Sequence, residues 1–338
     1  MSEDNIRNVF SVEALRKVAR IVDFVVYLIR TVNEHVARLC DNLKSLPNAF
    51  TTLGVAEIVD DAMDSMRAAA GLIVNIMPSS KICGEEKSQE FWDLHTALIV
   101  YHYDASMLLK HSLLSAFTGY YSVASTELRN AMESVVRGVI FDLLAIPECR
   151  RNAKELQKIK GFGGKPSFPE LLDLLEKKLG DKRSKVSVEI FDMIDKELRG
   201  FNPEAAFIKL LLQLKEWNVI DDKLVGDINS FYEELSKLAH RIHPKFSEVG
   251  IRVKARKDWL DLEPVPEELF IYLNHFLELN GLFTYLALKV FSLDLIHKDF
   301  RGSIDWSELD KYVQLASKLA KAYPFWEKVI NVLEELKT

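Results

Sequence analysis

Cysteine is scarce. The 338 residues hold only Cys40, Cys83 and Cys149, odd in number, far apart and without a CxxC pair. That excludes a disulfide framework and a cysteine zinc site, and it fits a reducing cytoplasm. Glycine (14) and proline (10) both fall below average usage, which excludes a turn-rich all-β fold. The apolar runs read from the sequence are short: residues 21–29 already contain Asp23, well below the ~18 residues of a membrane span. The opening MSEDNIRNVF lacks the basic start and small-residue cleavage site of a secretion signal, so a soluble, cytoplasmic chain without membrane contact is expected. Positive charge is not in excess. With 44 basic and 50 acidic residues the net charge is -6, so any attraction for nucleic acid has to be local. Glutamine occurs four times beside abundant Lys and Glu, a bias of hyperthermophile proteins.

What is present is helical pattern. Hydrophobic residues at 48% and charged residues at 28% are ordinary globular values, enough for one large domain or two smaller ones. From Val12 to Leu43 apolar positions recur every three or four residues, which predicts one long helix ending near Pro47. Further helices are predicted over 54–77, 90–117 and 120–146, with a polar loop at 78–89 and a break at Thr118-Gly119 that sets the last two antiparallel. Shorter patterns run to 179 and over 186–198 and 203–217, followed by strong ones at 221–243, 264–295, 305–322 and 324–336. Only GIRVKARK, at 250–257, alternates with the period of a strand. The expected fold is an all-α, up-and-down helical bundle, divided into an N-terminal hairpin (1–78), a main bundle (90–298) and a C-terminal hairpin (299–338). No fixed-period repeat is present.

Several constellations carry possible chemistry. The loop KGFGGKPS at 160–167 fails as a P-loop, because Ile159 replaces the first glycine and Pro166 follows the lysine. Its surroundings are basic: Arg150, Arg151, Lys154, Lys158, Lys160 and Lys165 against Glu155 leave a net +5, a solvated turn or a phosphate patch. A second run, Lys245, Arg252, Lys254, Arg256 and Lys257 against Glu248, leaves +4. It follows FYEELSKLAHRIHP, where His240 and His243 stand three apart on one helical face. Two imidazoles without a third ligand are a poor metal site. No glutamate stands three residues before any of the eight histidines, so the Glu-x-x-His motif of di-metal bundles is absent and neither a metal nor another cofactor is expected. As a proton-transfer pair beside Arg241, the histidines could cleave RNA by activating a 2′-hydroxyl, with a basic residue stabilising the phosphate. Arg129, Glu133 and Arg137 stand at i, i+4 and i+8 on one face, either as surface ion pairs or as charges set between helices. His95 and His102, with Trp92 and Tyr103 nearby, read as structural histidines.

Taken together, STELRNAMESVVR (125–137) and YEELSKLAH (232–240) resemble the HEPN-related helical domains of prokaryotes, one helix carrying an LRxxxE signature and a later one a Y..LS...H signature. The resemblance covers about residues 90–295. It implies an up-and-down bundle, frequent homodimers, and RNA cleavage or non-catalytic nucleic-acid or nucleotide binding, often in defence and toxin systems. It puts His240 at the family histidine, with Tyr232 and Ser236 ahead of it and Arg129, Glu133 and Arg137 opposite. The nuclease members carry Rx4-6H, whereas Arg241 here follows His240, and the strict match Arg30 to His35 is what chance supplies. The expected function is therefore RNA binding, with metal-independent endoribonuclease activity through His240, His243, Arg241, Arg129 and Glu133 as its catalytic form. The alternative is a non-catalytic nucleic-acid-binding or assembly subunit with a protein partner, using the two basic runs.

Overall fold

The computed structural model describes residues 55–160, 167–181, 207–239, 265–296 and 300–337. The helices predicted over 12–43 and 186–198 and the strand-like 250–257 lie outside these residues, as do Arg30, His35, Lys165, His240, Arg241, His243, Lys245, Arg252, Lys254, Arg256 and Lys257. Among the described residues the fold is all-α, without a strand.

The first described helix, α1 (Val55–Asn75), fulfils the 54–77 expectation. The segment predicted as a polar loop is instead helical. A single turn, α2 (Ser80–Cys83), is followed by α3 (Glu85–Leu94), whose first turn carries Glu85 and Glu86, a charge the helix dipole favours there. The predicted 90–117 helix is accordingly two helices, α3 and α4 (Thr96–Phe117), broken at His95. The cause is tertiary. Buried His95 places Nδ1 2.7 Å from Asp142, and its Nε2 lies 3.1 Å from Asp294, an ion-pair distance without good hydrogen-bond alignment. Asp142 also accepts from the backbone N–H of Leu98, so one carboxylate holds both the imidazole and the new helix start.

The α4–α5 turn follows the expected hairpin. After α4, Gly119 takes φ +79°, its N–H donates to Ala116 and that of Tyr120 to Ser115, the paired bonds that close a helix C-terminus. The chain then reverses into α5 (Tyr121–Leu144), which packs along α4. Gly138 makes this approach possible: a Cβ there would stand 2.6 Å from that of Tyr101. Most of α5 is buried, as befits a central helix.

The short α6 (Pro147–Arg151) and a 3-10 turn lead to α7 (Phe168–Leu179), which starts with a capping box between Ser167 and Glu170. Helices α8 (Phe207–Glu216) and α9 (Asp222–Ala239) both pack on α5. The second central helix is α10 (Pro266–Leu295), which touches α1, α4, α5 and the last helix. Its length and composition would suit a membrane span, yet the apolar stretch is mostly buried in the bundle. Tyr121 fixes its start through bonds of 2.9 and 3.0 Å with Val265, and Ser112 meets Tyr272 at 2.6 Å. The C-terminal pair, α11 (Trp306–Leu319) and α12 (Pro324–Lys337), closes over α1 and α10. Buried residues from Ile58 to Leu333 form one hydrophobic core across all three expected segments.

Candidate functional site

Helix α5 carries its charges as a ladder. Arg129, Glu133 and Arg137 are one turn apart, and Glu133 stands 3.2 Å from Arg129 and 3.3 Å from Arg137, so one carboxylate joins two guanidinium groups. Alone this would be a surface ion pair of ~0.3–0.5 kcal/mol per contact. Helix α9 changes its character. Its Tyr232 hydroxyl accepts from Arg129 Nε at 3.2 Å and Nη2 at 2.9 Å, and donates to Glu133 at 2.7 Å. Arg129 and Glu133 are mostly covered, whereas the side chain of Arg137 remains 50% exposed.

Tyr232 is held from its other side by Phe207 of α8, stacked at 4.1 Å between centroids with an interplanar angle of 16°. Burial, reinforced by the bond to Glu133, raises the phenol above its ordinary pKa despite the opposing Arg129. The phenol therefore stays protonated and serves as a donor. One turn further along α9 the hydroxyl of Ser236 is buried without a hydrogen-bond partner among the described residues. The cluster thus holds two positive charges, one negative charge and a neutral donor. Its outward end is Arg137, which can turn a guanidinium fork toward a phosphate.

The two segments of the LRxxxE and Y..LS...H signatures are therefore in contact, through Arg129, Glu133 and Tyr232. Their histidine, His240, follows Ala239, the last described residue of α9. Phe207 was missed by sequence reasoning. An aromatic facing Tyr232 from a separate helix leaves no spacing signal.

The first basic run differs from a phosphate patch. Arg150, expected on the surface, is buried; it donates to the carbonyls of Leu144 and Ala145 at 2.9 and 3.0 Å and of Gly180 at 2.7 Å. It closes the end of α5 and belongs to the fold. Arg151 pairs with Glu148 and Asp181, Lys154 with Glu216 and Lys158 with Glu155, so acidic neighbours offset much of the positive charge, while Lys160 is exposed. The offsetting Asp181 and Glu216 lie outside the run itself, where local counting does not look.

His95 and His102 occupy separate surroundings, the first between Asp142 and Asp294 and the second on the wall of a cavity. Among the described residues no group of three His, Cys, Asp or Glu side chains is arranged to hold a metal. Compared with protein-family models, curated proteins and solved structures, the chain finds no match in any of the three.

Proposed function

We propose that this chain is a HEPN-like helical protein that binds RNA at the Arg129–Glu133–Arg137–Tyr232 cluster, in a prokaryotic defence or toxin-type setting. The observation that supports the reading is the three-way contact of Arg129, Glu133 and Tyr232, which joins the two signature segments across 99 residues of chain. In this reading Arg137 takes the phosphate directly and Arg129, held by Tyr232, supplies the second positive charge. Cleavage rests on His240 and His243 as proton-transfer groups with Arg241 beside them, and it requires no metal.

The non-catalytic alternative has one observation in its favour. Glu133 is occupied by two arginines and a phenol, and Tyr232 keeps its proton, so the described part of the cluster offers no free general base. The test is incubation of metal-free protein with labelled single-stranded RNA and DNA, read for both mobility shift and cleavage beside His240→Ala/His243→Ala. Cleavage lost in the double variant supports the ribonuclease; RNA binding without cleavage favours the non-catalytic alternative; failure to retain RNA overturns the RNA-binding reading and leaves the assembly subunit with a protein partner.

A further inference from the structure

A cavity of about 530 Å³ opens between α1, α4 and α10, away from the charged cluster. Its wall is apolar over most of its extent, with Met66 and Ile73 from α1, Ile99 and Leu109 from α4 and Phe283 from α10. That volume lies in the ~300–1,000 Å³ range of small-molecule sites, which share this plan of apolar walls with a few polar groups. Exposed Val74, Val100 and Tyr103 extend the apolar surface at its mouth.

Three of its polar groups stand along one helix, and a fourth, Asn280 of α10, is already bonded to Ser65. His102, Ser106 and Lys110 line the cavity at i, i+4 and i+8 of α4, a stripe ~12 Å long at ~1.5 Å per residue. Helical side chains lean toward the N-terminus, which puts the Lys110 ammonium within reach of an anion held at Ser106. Lys110 is exposed and forms no ion pair among the described residues. His102 is different in kind. Its buried Nδ1 has no hydrogen-bond partner among the described residues, and its ring meets the edge of Phe283 at 6.2 Å. Burial lowers its pKa to about 4, so at neutral pH the ring is uncharged. An apolar cavity of this size whose wall carries a polar stripe ending in an exposed lysine suits an amphiphile with an anionic head.

We propose that this cavity binds a medium-chain fatty acid, its chain lying against Met66, Ile73 and Phe283 and its carboxylate seated at Ser106 between His102 and Lys110. The carboxylate accepts from the Ser106 hydroxyl, from an imidazole N–H and from the ammonium. The lysine gives selectivity for an anion over an alcohol of the same length.

The test is calorimetric titration of the full chain with decanoate below its micelle concentration, with decanol as the uncharged control. Three proteins are compared: wild type, Lys110→Glu at an exposed position, and Ala70→Trp, which places an indole at the exposed edge of the cavity. Melting curves verify that both variants fold. The expected result is saturable decanoate binding, about tenfold weaker in Lys110→Glu with decanol unaffected, and loss of both ligands in Ala70→Trp. Absence of saturable decanoate binding overturns the proposal. So does equal affinity for the two ligands, or indifference to both substitutions.

Discussion

Tyr232 donates a 2.7 Å hydrogen bond to Glu133 across 99 residues of sequence, and the same hydroxyl accepts from Arg129. One phenol therefore orders both ends of an ion pair that would otherwise be a mobile surface contact. Tyr232→Phe keeps the stacking on Phe207 and removes only this hydroxyl. The expected cost is about 1–2 kcal/mol by chemical denaturation, together with weaker RNA retention, because Arg129 loses its fixed position.

Glu133 and Arg137 separate stability from binding. Arg137→Ala removes a half-exposed guanidinium and should change stability by less than about 1 kcal/mol. Glu133→Ala should lower the melting temperature, since it leaves two arginines one turn either side without their shared carboxylate. It should also tighten RNA binding, since it removes the one negative charge of the cluster. Melting curves and RNA titrations on the same preparations check both signs.

His95 gives the fold an alkaline limit. Burial alone would lower its pKa, but the hydrogen bond to Asp142 and the negative charges of Asp142 and Asp294 outweigh that and raise it to about 9. The folded pKa exceeds the unfolded ~6.5, so the stabilisation is complete below ~6.5 and is lost as pH rises through about 9. Its size is about 3 kcal/mol. Denaturation at pH 6.5, 8 and 9.5 should show this decline, and His95→Ala should abolish it while costing about 3–5 kcal/mol through two stranded carboxylates.

Gly138 sits where α5 meets α4. Gly138→Ala puts a methyl 2.6 Å from the Tyr101 Cβ, an atom close to the backbone that cannot swing aside. A loss of about 1–3 kcal/mol is expected, against the small gain Ala gives in an open helix, and thermal melting measures it.

Arg150→Ala tests which basic residues belong to the fold. It should destabilise by about 2–3 kcal/mol, because three carbonyl oxygens lose their donor, and leave RNA affinity unchanged.

The helices were legible because their signal is local. Apolar spacing located α1, α5, α10 and the C-terminal pair within a few residues, and Gly119 located the hairpin turn. The break at His95 was not legible, since it depends on Asp142 and Asp294, 47 and 199 positions away. The polar stretch at 78–89 predicts a loop because little apolar surface marks it, yet Glu85 and Glu86 favour a helix start there and Phe91 and Leu94 anchor α3 in the core. At the charged cluster the i, i+4, i+8 ladder was visible, whereas its meeting with Tyr232 and Phe207 follows from helix packing. Arg150 was misread for the same reason. A basic residue in a basic run says nothing of three carbonyls folded around it.

The most direct test of the central claim is fluorescence-anisotropy titration of labelled single-stranded RNA, in chelator and over a series of salt concentrations, with wild type, Arg137→Ala and Glu133→Ala. The account predicts that Arg137→Ala weakens binding and reduces the salt slope by about 0.7, the value for one phosphate contact on a single strand, while Glu133→Ala binds more tightly than wild type. Identical affinity and salt slope in all three proteins would place RNA elsewhere, or nowhere, and contradict it.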